Sequence, residues 1–245
     1  MKSGPWEGPE PPAKSSDKQS SSSLTRSPRR RARSLLARLQ LGLEALYRVE
    51  TCLAIDAFVI DGDQRDRMLP ARAPREQLLL RETDGELAIG LFVDAAALAN
   101  LEQHDPEARL DDRNFTDFCL AVEGVSHFVY VALAAARHRP VSQLELELQA
   151  EVDKFVCCFL LLTRATQRSR ASLRRRLYGD VAYADDLDAD ERERYRTANQ
   201  QASRYTAALE HRFVAREQTI ALLAEVRRFY RMDLPAKLGR IAQLA

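Results

Sequence analysis

The chain has 245 residues, 45 % of them hydrophobic and 30 % charged, with a formal net charge of +1. That length and apolar fraction build one large domain or two small ones around a sizeable core, which excludes a fibrous or wholly disordered chain. The charge is uneven: residues 1–34 hold eight Lys/Arg and three Asp/Glu, net +5, leaving twenty-nine bases against thirty-three acids, net −4, on the rest.

Residues 1–33 are rich in Ser, Pro and basic side chains and nearly free of aliphatic ones. Such a segment buries too little surface to offset its ordering entropy, so a disordered basic tail is predicted. It has no apolar run of the signal-peptide kind, and the wholly apolar stretch FVCCFLLL at 155–162 is far short of the ~20 residues of a membrane span. The expectation is a cytoplasmic protein without a membrane partner. Cys52, Cys119, Cys157 and Cys158 lack the spacing of a zinc site or disulfide framework and read as reduced core thiols.

From Ser34, a plausible N-cap, Leu35, Leu39, Leu43, Leu46 and Tyr47 recur at helical spacing. A β-rich run at about 53–60 follows, then the polar DGDQRD. That segment fails as a calcium loop, because Asp66 stands where the loop needs Gly and Arg72 where it needs Glu, and it reads as a solvated turn. Strands at about 77–83 and 86–93 flank Asp84-Gly85, a type I′ turn sequence that sets Leu80 against Ile89 and Leu78 against Leu91. An antiparallel sheet of about three strands is expected.

Everything from Asp94 onward reads as helix. Asp94 caps one; Asn114 and Asp117 resemble a capping pair opening a second to about His138; Ser142 and Glu145 form a capping box opening a third. Further helices run from about Asp190 to Phe213, on to about Arg231, and after Pro235. The fold class is α+β and mostly helical: residues 34–245 form a single domain in which a small sheet packs on a helical bundle.

The two long helices on either side of Pro140 are apolar on most faces and joined by a short link, so they form a central antiparallel hairpin. Its register sets His127 near Asp153 and Glu123 near Cys157. Within one turn, Glu123, His127, Glu147, Glu151 and Lys154 form a polar cluster inside the bundle. Buried ionisable groups must neutralise one another or bind something. The cluster is thus either a structural network or a site, and carboxylates with an imidazole on facing helices are donors for iron, manganese or zinc. The ferritin-like pattern needs Glu-x-x-His twice, whereas one Glu-x-x-x-His is present, so neither metal nor cofactor is named by the sequence. Ser126 lacks the Gly-x-Ser-x-Gly context and reads as a packing residue.

Arg164, Arg168, Arg170, Arg174, Arg175 and Arg176 make a run with no acid between them, and the last five are candidates for phosphate contact. The seven acids from Asp180 to Glu193 can neutralise them within the chain. Tyr195, Ala198, Ala202, Tyr205, Leu209 and Phe213 form a stripe that packs on the hairpin or serves a protein partner or self-association. With no catalytic motif, the sequence favours a non-enzymatic interaction or regulatory protein. The alternatives are a ligand- or metal-binding protein or enzyme using the buried cluster, and a weak nucleic-acid binder using the Arg run.

Overall fold

A computed structural model describes residues 33–68, 74–83, 86–162, 172–179, 181 and 187–244. Residues 1–32, which carry nearly all of the predicted tail, lie outside these, as do the Asp84-Gly85 turn, Arg164, Arg168, Arg170, and Asp180, Asp185 and Asp186 of the acidic stretch. The elements in chain order are α1 Leu35–Tyr47, a 3-10 turn Ile55–Ala57, α2 Gly62–Met68, β1 Glu76–Thr83, β2 Glu86–Val93, α3 Ala95–Gln103, α4 Phe115–Ala136 and α5 Gln143–Leu162. After them come α6 Leu173–Tyr178, α7 Ala189–Arg212, a second 3-10 turn Val214–Arg216, α8 Thr219–Tyr230 and α9 Leu234–Leu244. The described part is mostly helical with a small antiparallel sheet packed on helices, as the sequence pattern predicts.

The helix at the centre is α4. It has the length and apolarity of a membrane span, and 83 % of its most apolar window is buried by neighbouring elements. Val122, Val125, Phe128 and Val129 are buried to within a per cent. Each such side chain contributes ~1.5–3 kcal/mol by leaving water. The β1–β2 hairpin, α1, α3 and α5 all pack on α4; α7 packs on α5, and α8 on α1. Stacked rings tie the outer helices in, Tyr47 on Tyr230 at 3.9 Å and Tyr205 on Phe229 at 4.0 Å.

The β1–β2 register is the predicted one, Leu78 against Leu91 and Leu80 against Ile89. The third strand is not: among the described residues the sheet has two strands, and the run at 53–60 contributes a 3-10 turn and a single parallel bridge between Val59 and Leu91. Gln40 of α1 is the physical reason. Its amide nitrogen donates to Leu53 O (2.7 Å) and its amide oxygen accepts from Ile55 N (3.0 Å), occupying backbone groups that a ladder would use.

Caps define most helix ends. Ser34 accepts from Ala37 N and Asp94 from Ala96 N, as predicted. DGDQRD is a helix start instead of a solvated turn: Gln64 N donates to Asp61 Oδ1 (2.8 Å) while Asp61 N donates to Gln64 Oε1 (3.0 Å), a capping box. Asn114 makes no side-chain cap; its amide holds His104 O and Arg109 O in the preceding loop. Ser142 accepts from Glu145 N, but the Glu145 carboxylate turns inward. A true box, Asp188 with Glu191, opens α7. Among the cysteines, Cys158 is buried, Cys119 and Cys157 are half-buried, and Cys52 is exposed instead of a core thiol.

Candidate functional site

The hairpin of α4 and α5 closes close to the predicted register, with Ser126 opposite Asp153, Glu123 opposite Lys154 and Cys119 opposite Cys158. Ser126 and His127 are adjacent, as are Asp153 and Lys154, so the hairpin carries two polar clusters facing different ways.

The first cluster is the predicted one. Cys119, Glu123 and His127 recur every four residues on α4, and Glu147, Glu151 and Lys154 share a face of α5. Lys154 Nζ donates to Glu123 Oε2 at 3.1 Å and to Glu151 Oε1 at 2.6 Å. Glu123, His127 and Glu147 each offer a ligand atom, all within 4.8 Å of one another. All five predicted residues therefore converge.

A sixth group, Glu76, comes from the start of β1. Strand alternation puts it on the same face as Leu78, towards α4. Gly124 admits it: a Cβ at that position would lie 3.1 Å from Glu76 Oε1 and 3.1 Å from Leu91 Cδ1. The Glu76 carboxylate oxygen stands 3.6 Å from His127 Nδ1, and Glu147 Oε2 stands 3.6 Å from His127 Nε2. Both separations are too long for hydrogen bonds. Accordingly His127 Nε2 and Glu76 Oε1 are buried with no hydrogen-bond partner among the described residues.

The electrostatics are those of crowded charge at low dielectric. Burial works against the charged His127 ring, yet the carboxylates of Glu147 and Glu76 outweigh it and hold the ring well above its ordinary value. Burial lifts Glu76 and Glu151. It also pushes Glu123 upward, but Lys154 and His127 overcome it and draw that carboxyl below its usual range. Burial opposes the Lys154 charge, and Glu123 and Glu151 restore it. On α7, the Tyr195 phenol is raised by burial and then by Glu147, Glu123 and Glu76.

The second cluster was not predicted. Asp153 accepts from Tyr47 and from Gln149 Nε2 (2.8 Å) on one oxygen and from Ser126 Oγ (2.6 Å) on the other. Ser126 is thus a hydrogen-bond donor in the core, not merely a small packing residue. Lys237 of α9, wholly buried, donates to Gln149 Oε1 (2.8 Å) and Tyr130 Oη (2.7 Å). Tyr130 in turn donates to Glu145 (2.6 Å), which Arg139 also contacts at 2.7 Å. Burial pushes Lys237 down to about 7 and Asp153 up to about 6.

Of the arginines proposed for phosphate contact, Arg168 and Arg170 lie outside the described residues. Arg174 donates to Ser203 O at 3.1 Å and sits 3.5 Å from Glu210. Arg176 pairs with Asp112 at 2.8 Å and covers the Phe115 ring at 3.8 Å. Arg175 is exposed. Arg176 is exposed as well, so of the three described arginines only Arg174 is half-buried.

No protein-family model matches the chain, and no match was found among curated proteins or solved structures. The chain is a helical bundle with a small sheet, holding a carboxylate-rich centre around one histidine.

Proposed function

We propose that this protein binds a divalent transition-metal ion through Glu123, His127 and Glu147, with Glu76 as the group that orients the histidine. One observation carries the reading: the buried His127 Nε2, without a hydrogen-bond partner among the described residues, 3.6 Å from Glu147. Ligand atoms ~2.1 Å from one ion stand about 3 to 4 Å apart, depending on their angle. The present spacing of up to 4.8 Å needs a contraction of a few tenths of an ångström at each ligand. Metal at Nε2 takes the place of the ring's proton there. Nδ1–H then donates to Glu76, the carboxylate–histidine–metal relay that fixes ring orientation and raises ligand basicity.

Two carboxylates and one imidazole suit manganese, iron or zinc. Three protein donors also leave coordination positions for water or a substrate oxygen, the layout of a reactive centre rather than a closed structural one. The experiment is elemental analysis and calorimetric titration of the purified chain with Mn²⁺ and Zn²⁺. One ion per chain is expected, with affinity lost in His127→Ala and Glu147→Gln while both remain folded. A wild-type chain that takes up neither ion, or variants that bind as well as the wild type, would defeat the reading.

A further inference from the structure

Glu123 lies between two positions for positive charge. On one side are His127 and Glu147, the donors assigned above to a metal ion. On the other is the Lys154 ammonium, 3.1 Å from Glu123 and 2.6 Å from Glu151. A carboxylate shared in this way is the bridging element of a two-cation centre, in which each metal holds one oxygen of the same side chain.

Resting on the metal reading above, we infer that Lys154 Nζ occupies the second cation position of a site laid out for two, and so restricts the centre to one ion. Several observations support this assignment. The ammonium is held by two half-buried carboxylates, with no more than 23 % of any of the three side chains exposed. It therefore belongs to the centre and does not reach out to solvent. Lys154 and Glu151 share one face of α5 three residues apart, so the ammonium stays where it is without help from a ligand. Cys119, one turn before Glu123 on α4, places a further donor on the same face.

Charge counting points the same way. Glu76, Glu123, Glu147 and Glu151 supply four negative charges if all are ionised. One divalent ion and Lys154 supply three positive charges, and two divalent ions would supply four. A second ion in place of the ammonium is thus electrostatically admissible, and what excludes it is the tethered lysine. The consequence is chemical: a single ion acts as a Lewis acid or activates one water, whereas the bridged-hydroxide chemistry of paired metals is closed to the wild-type chain.

The test is metal stoichiometry in the full-length chain and in Lys154→Ala, loaded with excess Mn²⁺ or Zn²⁺, desalted and measured by elemental analysis, with circular dichroism to confirm folding. Expected are one ion in the wild type and two in Lys154→Ala, falling back to one in Lys154→Ala combined with Glu151→Gln. Lys154→His, which adds a ligand at the same place, should also hold two. A folded Lys154→Ala or Lys154→His that still holds one ion overturns the inference. So does failure of both variants to fold even with metal present, because an ion in the ammonium's place would restore the lost charge. Zero in the wild type with one in Lys154→Ala would refute the Glu123–His127–Glu147 reading while sustaining the role of Lys154. Zero throughout refutes both.

Discussion

Replacing Lys237 with methionine gives the sharpest test of the buried electrostatics. Lys237 is wholly buried, and burial takes its pKa from an ordinary 10.5 to about 7. The unfolded chain therefore binds a proton between pH 7 and 10.5 that the folded chain has released. Stability then rises with pH across that window, and the penalty is present in full only below the folded pKa. Integrating the two titrations from pH 7.5 to 9 gives a gain of about 2 kcal/mol from this residue alone. In Lys237→Met that contribution vanishes. Urea unfolding at half-unit steps should show the wild-type stability, less that of the variant, climbing by about this amount. The buried thiols Cys157 and Cys158, whose pKa values burial raises, oppose the trend in both proteins and cancel in the difference. The slope carries the test. The intercept mixes lost hydrogen bonds to Gln149 and Tyr130 with relieved desolvation. Parallel curves, differing by less than about 0.5 kcal/mol over the window, would show that Lys237 keeps an ordinary pKa and that the buried network does not control it.

Three further substitutions probe the frame around the sites. Gly124→Ala gains about 1 kcal/mol of helix propensity but sets a methyl 3.1 Å from Glu76 and Leu91. Stability should change by less than about 1 kcal/mol while metal affinity in calorimetry falls at least about tenfold, since a displaced Glu76 no longer orients His127; unaltered affinity would remove Glu76 from that role. His138 ends α4 at φ 50°, with Arg139 N on Ala134 O and His138 N on Ala135 O, a Schellman closure that favours glycine. His138→Gly should raise stability by about 0.5–1 kcal/mol in urea unfolding, and a loss would contradict the strain. Gln40→Ala leaves the buried Ile55 N–H without its acceptor and should cost about 2–3 kcal/mol by the same measurement, against less than about 0.5 kcal/mol if the amide were incidental.

What could be read in the sequence was whatever local rules determine. The Leu78–Leu91 and Leu80–Ile89 pairs follow from alternation and a two-residue turn. The Glu123–Lys154 meeting follows from two apolar helices and a short link. Helix α2 was also within reach, because Asp61 and Gln64 stand at capping-box spacing. Glu76 left a fainter mark, an acid on the inward face of a strand whose next inward residue is Leu78. Lys237 left none. It sits in an ordinary basic segment, and its partners Gln149 and Tyr130 are 88 and 107 residues away. Its burial is a property of how α9 docks, which no local pattern encodes. The expected third strand failed for a similar reason, since Gln40 claims its backbone from α1.

The two clusters are built from neighbouring residues of one hairpin, and the difference between them bears on function. Around Lys237 the lysine, Asp153, Gln149, Tyr130 and Glu145 all have partners, and the polar atom left over is the neutral hydroxyl of Tyr230. An unmade bond to a neutral hydroxyl costs about 1–3 kcal/mol, which a bundle of this size absorbs. Around His127 the atoms without a hydrogen bond among the described residues are His127 Nε2 on α4 and Glu76 Oε1 at the start of β1. Keeping such ionisable groups in ion contact at 3.6 Å without a hydrogen bond is more expensive than leaving a hydroxyl without one. The Lys237 cluster shows that this hairpin can close a buried network completely with Ser, Gln and Tyr. Where it instead keeps the His127 ring and the Glu147 carboxylate 3.6 Å apart without a hydrogen bond, the proposed metal ion would bond to both.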